Sequence, residues 1–131
     1  MHASGGCLCG GVRYAVRGAL RNVVNCHCSQ CRRTHGHYAP YTRCARDALL
    51  LEEQDSLGWY ASSDRARRGF CKRCGASLFW KLLEDDGICI AAGSLDFPTG
   101  LKTIRHIYVG DAGDYYTIDD GLDRWPGSMA S

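Results

Sequence analysis

Nine of the 131 residues are cysteine, and their spacing limits what this chain can become. Seven fall into three tight groups: Cys7 with Cys9, then Cys26, Cys28 and Cys31, then Cys71 with Cys74. Cys44 and Cys89 stand apart. Small secreted proteins use cysteine this densely for disulfides. Here the count is odd, and no apolar segment follows Met1 to act as a secretory signal. Cysteines one or two residues apart rarely bridge each other, but their sulfurs can converge on one ion. Metal binding is therefore the expectation, and with it a reducing, cytoplasmic setting.

The rest of the sequence agrees with a small metal-supported fold. Sixteen glycines and three prolines punctuate short strand-like runs. The candidate strands are Gly11–Val16, Leu49–Leu51, Leu57–Ala61, Leu78–Leu83, Ile88–Ala92 and Thr103–Val109. No long window carries a 3.6-residue apolar period, so helix is confined to short turns at Ser29–Thr34, with Ser29 as cap, and near Asp96. A mainly β fold of short antiparallel strands follows, as a single domain over 1–131 with its core at about 5–125. Short, glycine-rich strands lose much backbone entropy on ordering and pack few large side chains. Zinc binding to distant knuckles offsets that loss, because it is then part of the folding free energy. The longest apolar runs are far too short to span a bilayer, and a formal net charge of +2 is no footprint of a nucleic-acid binder. Gly127–Ser131 reads as a loose tail.

Each outer group is followed by glycine: Cys7-Leu8-Cys9-Gly10-Gly11 and Cys71-Lys72-Arg73-Cys74-Gly75. This is a knuckle pattern, in which glycine accepts the backbone angles that turn amides toward the thiolates. Cys7, Cys9, Cys71 and Cys74 together supply the four sulfurs of a closed, structural zinc site. The middle group, Cys26-His27-Cys28-Ser29-Gln30-Cys31-Arg32-Arg33, offers three sulfurs and no obvious fourth ligand. Three protein ligands and one open position are the arrangement of a catalytic zinc. Spacing alone leaves a closed site in play, with His27, His35, His37, Cys44 or Cys89 as fourth ligand, and so also a different partition of the seven sulfurs.

Ligand type narrows the chemistry of an open site. Three thiolates and Zn²⁺ sum to −1, a weaker Lewis acid than a histidine-bound zinc, better suited to holding a thiol as thiolate than to activating water. A bound thiolate takes the core to −2, so nearby positive charge is needed. Arg32 and Arg33 follow the last ligand and can screen that core or clamp a substrate's carboxylates, or simply be solvated.

The order CxCGG, CHCSQCRR, FCKRCGASLFW resembles the glutathione-dependent formaldehyde-activating enzyme family, which shares its domain with centromere protein V and an Mss4-like fold. The resemblance runs from about Gly5 to Trp125 and extends to Gly93-Ser94-Leu95-Asp96, His106-Ile107-Tyr108-Val109 and Asp120-Gly121-Leu122. It implies two zinc ions, a structural one on Cys7, Cys9, Cys71 and Cys74 and a catalytic one on Cys26, Cys28 and Cys31. It also implies a carbon–sulfur lyase, or in reverse a synthase, acting on glutathione or another small thiol as an aldehyde adduct such as S-hydroxymethylglutathione. The competing readings are a non-catalytic zinc-binding interaction module and a thiol redox sensor.

The remaining candidates have plainer readings. Cys89 lies in an apolar run and reads as core, and Cys44, between Arg43 and Arg46, as a bystander. His27 reads as outward-facing, His35 and His37 as residues that can line a pocket, and His106 as a satisfied, half-buried histidine. Trp59, Phe79 and Trp80 read as core or rim. Arg65-Ala66-Arg67-Arg68 reads as a solvated charge run, placed close enough to Cys71 to allow a role near a zinc pocket.

Overall fold

The structure is a computed structural model that describes residues 2–128. Two sheets make it up. β1 (His2–Gly6), β2 (Arg13–Arg17) and β5 (Leu49–Glu53) form a three-stranded antiparallel sheet in the order β1-β2-β5. The larger sheet has eight strands, in the order β11-β10-β3-β4-β9-β8-β7-β6. Its strands are β3 (Val23–Cys26), β4 (Ala39–Ala45), β6 (Leu57–Ala61), β7 (Ala66–Cys71), β8 (Ser77–Leu82), β9 (Gly87–Ala91), β10 (Thr103–Ile107) and β11 (Asp123–Arg124). One seven-residue helix, α1 (Ser29–His35), interrupts the strands. The fold is thus mainly β, and among the described residues no helix is long and apolar enough to cross a membrane. Most pairings are antiparallel, but β10 runs parallel to both β3 and β11. Those partners are far apart in sequence, so no hairpin dictates their direction.

The two sheets share one core. Val12, Tyr14 and Val16, on alternate positions at and into β2, pack with Leu49, Leu78, Phe79, Ile88, Ile90 and Leu95. Tyr14 is fully buried, meets Phe79 edge-on at 5.4 Å between ring centroids, and donates its hydroxyl proton to Ser94 Oγ at 2.6 Å. Ser94 in turn donates to the carbonyl of Ala91 at 2.7 Å. Burial pushes the Tyr14 hydroxyl up to about 12. Two residues on, Asp96 accepts from Ser4 Oγ at 2.6 Å and from Arg13 at 2.8 Å. The Gly93-Ser94-Leu95-Asp96 stretch is therefore a clamp that holds β1 and β2 against the larger sheet.

All six expected strands lie within two residues of the expected bounds, and the largest shortfall at a C-terminal end is that of β10. Tyr108 adopts a left-handed φ of 55°, which stops an extended strand, so β10 closes at Ile107 rather than Val109. The helical turn near Asp96 is a 3₁₀ turn at Ala92–Ser94. Five strands were not legible. β1 is glycine-rich, β3 and β11 are very short, β4 contains Pro40 and Arg43, and β7 contains the arginine run. Residues 129–131 of the expected loose tail lie outside the described residues.

Candidate metal centre

Cys7 and Cys9 leave the end of β1, and Cys71 and Cys74 span the end of β7 and the turn into β8. Their four sulfurs lie within 4.8 Å of one another. The Cys7–Cys9 and Cys9–Cys71 sulfur separations are 3.7 and 3.6 Å. A tetrahedral ion with Zn–S bonds of about 2.3 Å sets its sulfurs about 3.8 Å apart, so the donor set fits zinc. Amides complete the fit. Val12 N–H donates to Cys7 Sγ at 3.2 Å, and the N–H groups of Arg73 and Cys74 donate to Cys71 Sγ at 3.3 Å each. Burial works against a Cys71 thiolate, but Ser56 Oγ at 3.1 Å and those amides outweigh it and hold its pKa down to about 5. Gly10 and Gly75, each directly after the second cysteine of its knuckle, have φ of 82° and 78°. A side chain there would be strained, which is why each knuckle needs its glycine.

The middle group is built differently. Cys26 ends β3, Cys28 caps α1, and Cys31 lies in its first turn. The cap is the Cys28 thiolate position, which accepts from Cys31 N–H at 3.4 Å, and not Ser29 as the sequence suggested. The three sulfurs again lie within 4.8 Å of one another, and among the described residues no fourth His, Cys, Asp or Glu atom joins them. Their ionisation is coupled. Hydrogen bonds from Cys26 and Cys31 hold the Cys28 thiol far below its ordinary value, while Cys26, donating to Cys28 and buried, is pushed far up.

The five candidates for a fourth ligand are engaged elsewhere or too far away. Cys44 is buried in the main core, where desolvation outweighs Arg46 and Arg43 and raises its pKa. Cys89 faces the same cavity as the trio but stays outside the sulfur group, and burial raises it to about 11. His35 Nε2 meets Tyr41 Oη at 3.0 Å, and His37 Nδ1 meets Tyr115 Oη at 2.7 Å. His27 is not outward-facing; it is 1% exposed. It lies in a relay fixed from one end. Asp120 accepts from His106 Nε2 at 2.8 Å, so His106 Nδ1 accepts from His27 Nε2 at 2.9 Å. His27 Nδ1 then accepts the Tyr116 hydroxyl proton at 2.5 Å. Burial and the neighbouring His106 push His27 down to about 4, consistent with a neutral ring. His106 is, as expected, a satisfied histidine, and more deeply buried than the alternation suggested.

Beside the trio opens a cavity of about 570 Å³. Val24, Trp80, Ile107 and Tyr108 give it apolar walls, and its cationic groups are Arg21, Arg43 and Arg68. Arg32 is half-buried and Arg33 exposed, and neither lines this cavity. The run at Arg65–Arg68 is a solvated face only in part. Arg65 is exposed and paired with Glu84, whereas Arg68 is 7% exposed and its Nη2 lies 3.6 Å from Cys31 Sγ. Buried positions along β7 are Ala66, Arg68, Gly69 and Cys71, so Arg68 shares the inward alternation of Ala66 while Arg67 between them is half-buried. Sequence reasoning did not find Tyr41 or Arg21. Arg21 is held with its Nη2 donating to the Tyr41 carbonyl at 3.0 Å.

His35 gives this region a pH dependence. Burial and then the Arg68 charge push it down to about 4, below the ordinary 6.5. The unfolded chain therefore binds more protons between those values, so this contribution to stability is complete above pH 6.5 and is lost as pH falls toward 4. His35→Gln should flatten denaturant-derived stability over that window by up to about 3 kcal/mol. Equal pH slopes for the two proteins would refute the buried, neutral histidine.

The model of the family described as glutathione-dependent formaldehyde-activating enzyme matches residues 2–111, most of the chain. The chain belongs to that family. A curated relative, named an uncharacterized lyase of Schizosaccharomyces pombe, is 32% identical over 76 residues, covering 58% of this chain and 55% of the relative. The chain thus matches about half the length of that relative. A crystal structure of a Rhodobacter sphaeroides protein superposes with a TM-score of 0.63 at 20% identity, covering 93% of this chain and 98% of the other. At that identity the likeness concerns the fold alone.

Proposed function

We propose that this family member is a zinc-dependent carbon–sulfur lyase, or in reverse a synthase, acting on adducts of an aldehyde with glutathione or another small thiol. Cys26, Cys28 and Cys31 would hold the catalytic zinc, and Cys7, Cys9, Cys71 and Cys74 a structural one. One observation carries the reading: three sulfurs converge with no fourth protein donor among the described residues and face a cavity of about 570 Å³ that carries arginines. Zinc bound there supplies a position at which a thiol sulfur is held as thiolate.

The chain's own residues do the rest. The apolar wall of Val24, Trp80, Ile107 and Tyr108 excludes water from the reacting carbon. Arg21 has no carboxylate partner among the described ion pairs and can take a substrate carboxylate; Arg43, paired with Asp85, stands beside it. In the lyase direction the adduct's hydroxyl gives its proton to solvent, the O–H electrons form the carbonyl of the freed aldehyde, and the carbon–sulfur pair leaves on sulfur as the thiolate. The screening and clamping roles that the sequence suggested for Arg32 and Arg33 fall instead to cavity arginines.

The test is to mix zinc-loaded protein with glutathione and ¹³C-formaldehyde and follow S-hydroxymethylglutathione by exchange NMR. Exchange above the spontaneous rate, abolished by zinc removal, is expected. Exchange no faster than in protein-free buffer would remove this substrate pair, and the same result across larger aldehydes and other thiols would remove the lyase.

A further inference from the structure

Arg68 is a buried cation without a carboxylate. None of the described ion pairs includes it. Nη1 donates to Tyr41 Oη at 3.1 Å and Thr34 Oγ1 at 3.2 Å, and Nη2 to Gln30 Oε1 at 3.3 Å and Cys31 Sγ at 3.6 Å. Its Nε, buried, has no partner. Three of the four acceptors are neutral, and hydrogen bonding is incomplete. Burying a charge on those terms is costly unless an opposite charge lies close by. Among the described residues it touches, the thiol trio is the source of such charge.

We propose that Arg68 is the built-in counter-charge of the Cys26–Cys28–Cys31 centre, a positioning residue that makes the vacant coordination position favour an anionic sulfur ligand over a neutral one. This rests on reading the trio as an open zinc site. The charge arithmetic is simple. Three thiolates and Zn²⁺ sum to −1, and Arg68 brings the centre to zero. An incoming thiolate then takes it to −1 rather than −2. A neutral ligand leaves the charge unchanged and gains nothing from Arg68. The cation also repels the metal while helping its ligands ionise, and these effects oppose each other, so metal affinity changes little when Arg68 is neutralised. The four contacts from β4 and α1 fix the guanidinium against the sulfurs, so the charge cannot swing away when the ligand arrives.

The experiment uses the full chain loaded with Co²⁺, whose thiolate-to-cobalt absorption reports each added sulfur. Wild type, Arg68→Met, Arg68→Gln and Arg68→Lys are titrated with 2-mercaptoethanol, which has no carboxylate for Arg21 or Arg43, and with imidazole as the neutral ligand. Cobalt affinity is measured by chelator competition, and folding by circular dichroism. In Met and Gln variants 2-mercaptoethanol should bind about tenfold more weakly or worse, while imidazole stays within about twofold and cobalt within about threefold. Arg68→Lys should recover most of the thiol affinity. If Arg68→Met does not fold, Arg68→Gln, which keeps a polar group near Tyr41, carries the comparison. Equal weakening of both ligands, unchanged thiol affinity, or loss of the trio's cobalt in folded variants overturns the counter-charge role alone. A wild-type chain that takes only one cobalt overturns both this role and the reading on which it rests.

Discussion

Cys71→Ser is expected to leave the chain largely unfolded at room temperature and to release one metal ion per chain. Cys71 is fully buried and central to the outer group, touching Cys9 Sγ, Ser56 Oγ and two backbone amides. A serine hydroxyl does not ionise near neutral pH and is a poor zinc ligand. The knuckles join the loop after β1 to the turn between β7 and β8, two segments that belong to different sheets. A structural zinc contributes roughly 10–16 kcal/mol of apparent binding free energy, and a domain this small has only about 5–15 kcal/mol of stability in all. Weakening that site therefore removes a share of stability the core cannot replace. Circular dichroism and metal analysis check it, with Cys89→Ser as the comparison that should keep its metal count. A Cys71→Ser chain that unfolds cooperatively at the wild-type denaturant midpoint would falsify the structural role of the outer group.

The outer group was legible because its information is local. Two close-spaced cysteine pairs, each with a glycine behind it, define a knuckle regardless of what surrounds it, and Gly10 and Gly75 do take the left-handed angles the pattern requires. Alternating apolar runs were legible for the same reason, since Val12, Tyr14 and Val16 record the period of a strand in adjacent residues. What could not be read depends on partners far away in sequence. Arg68 looks solvated until the fold sets its face of β7 against β4 and α1, where it reaches Tyr41 and Cys31, the latter 37 residues earlier. His27 looks like a spacer between two ligands until Asp120, through His106, fixes its tautomer. Arg32 and Arg33 were suggested by adjacency to Cys31, but α1 turns successive side chains about the helix axis, and neither reaches the cavity. The need for positive charge beside three thiolates follows from charge arithmetic alone, whereas the arginine that reaches Cys31, Arg68, is set by tertiary structure.

Cys28→Ser should separate chemistry from scaffold. Cys28 sits at the helix cap, half-buried, with its sulfur within 4.8 Å of both partners, so its loss opens the trio to two sulfurs. Two ligands hold zinc far more weakly than three, and serine can still cap α1 through its hydroxyl. The fold is thus expected to survive with the outer metal in place, at a cost of no more than about 1–2 kcal/mol, while the chain loses the second ion. Thiol–aldehyde turnover should fall at least a hundredfold, because holding and ionising the sulfur at a metal accounts for several kcal/mol of the barrier. Metal content, denaturant stability and exchange NMR on one preparation make the three readouts comparable. One lost metal with wild-type turnover would move the chemistry away from this trio, and a variant that fails to fold would make the trio part of the scaffold. Only the combination of one metal retained, fold retained and turnover lost fits a site whose fourth position is kept for substrate.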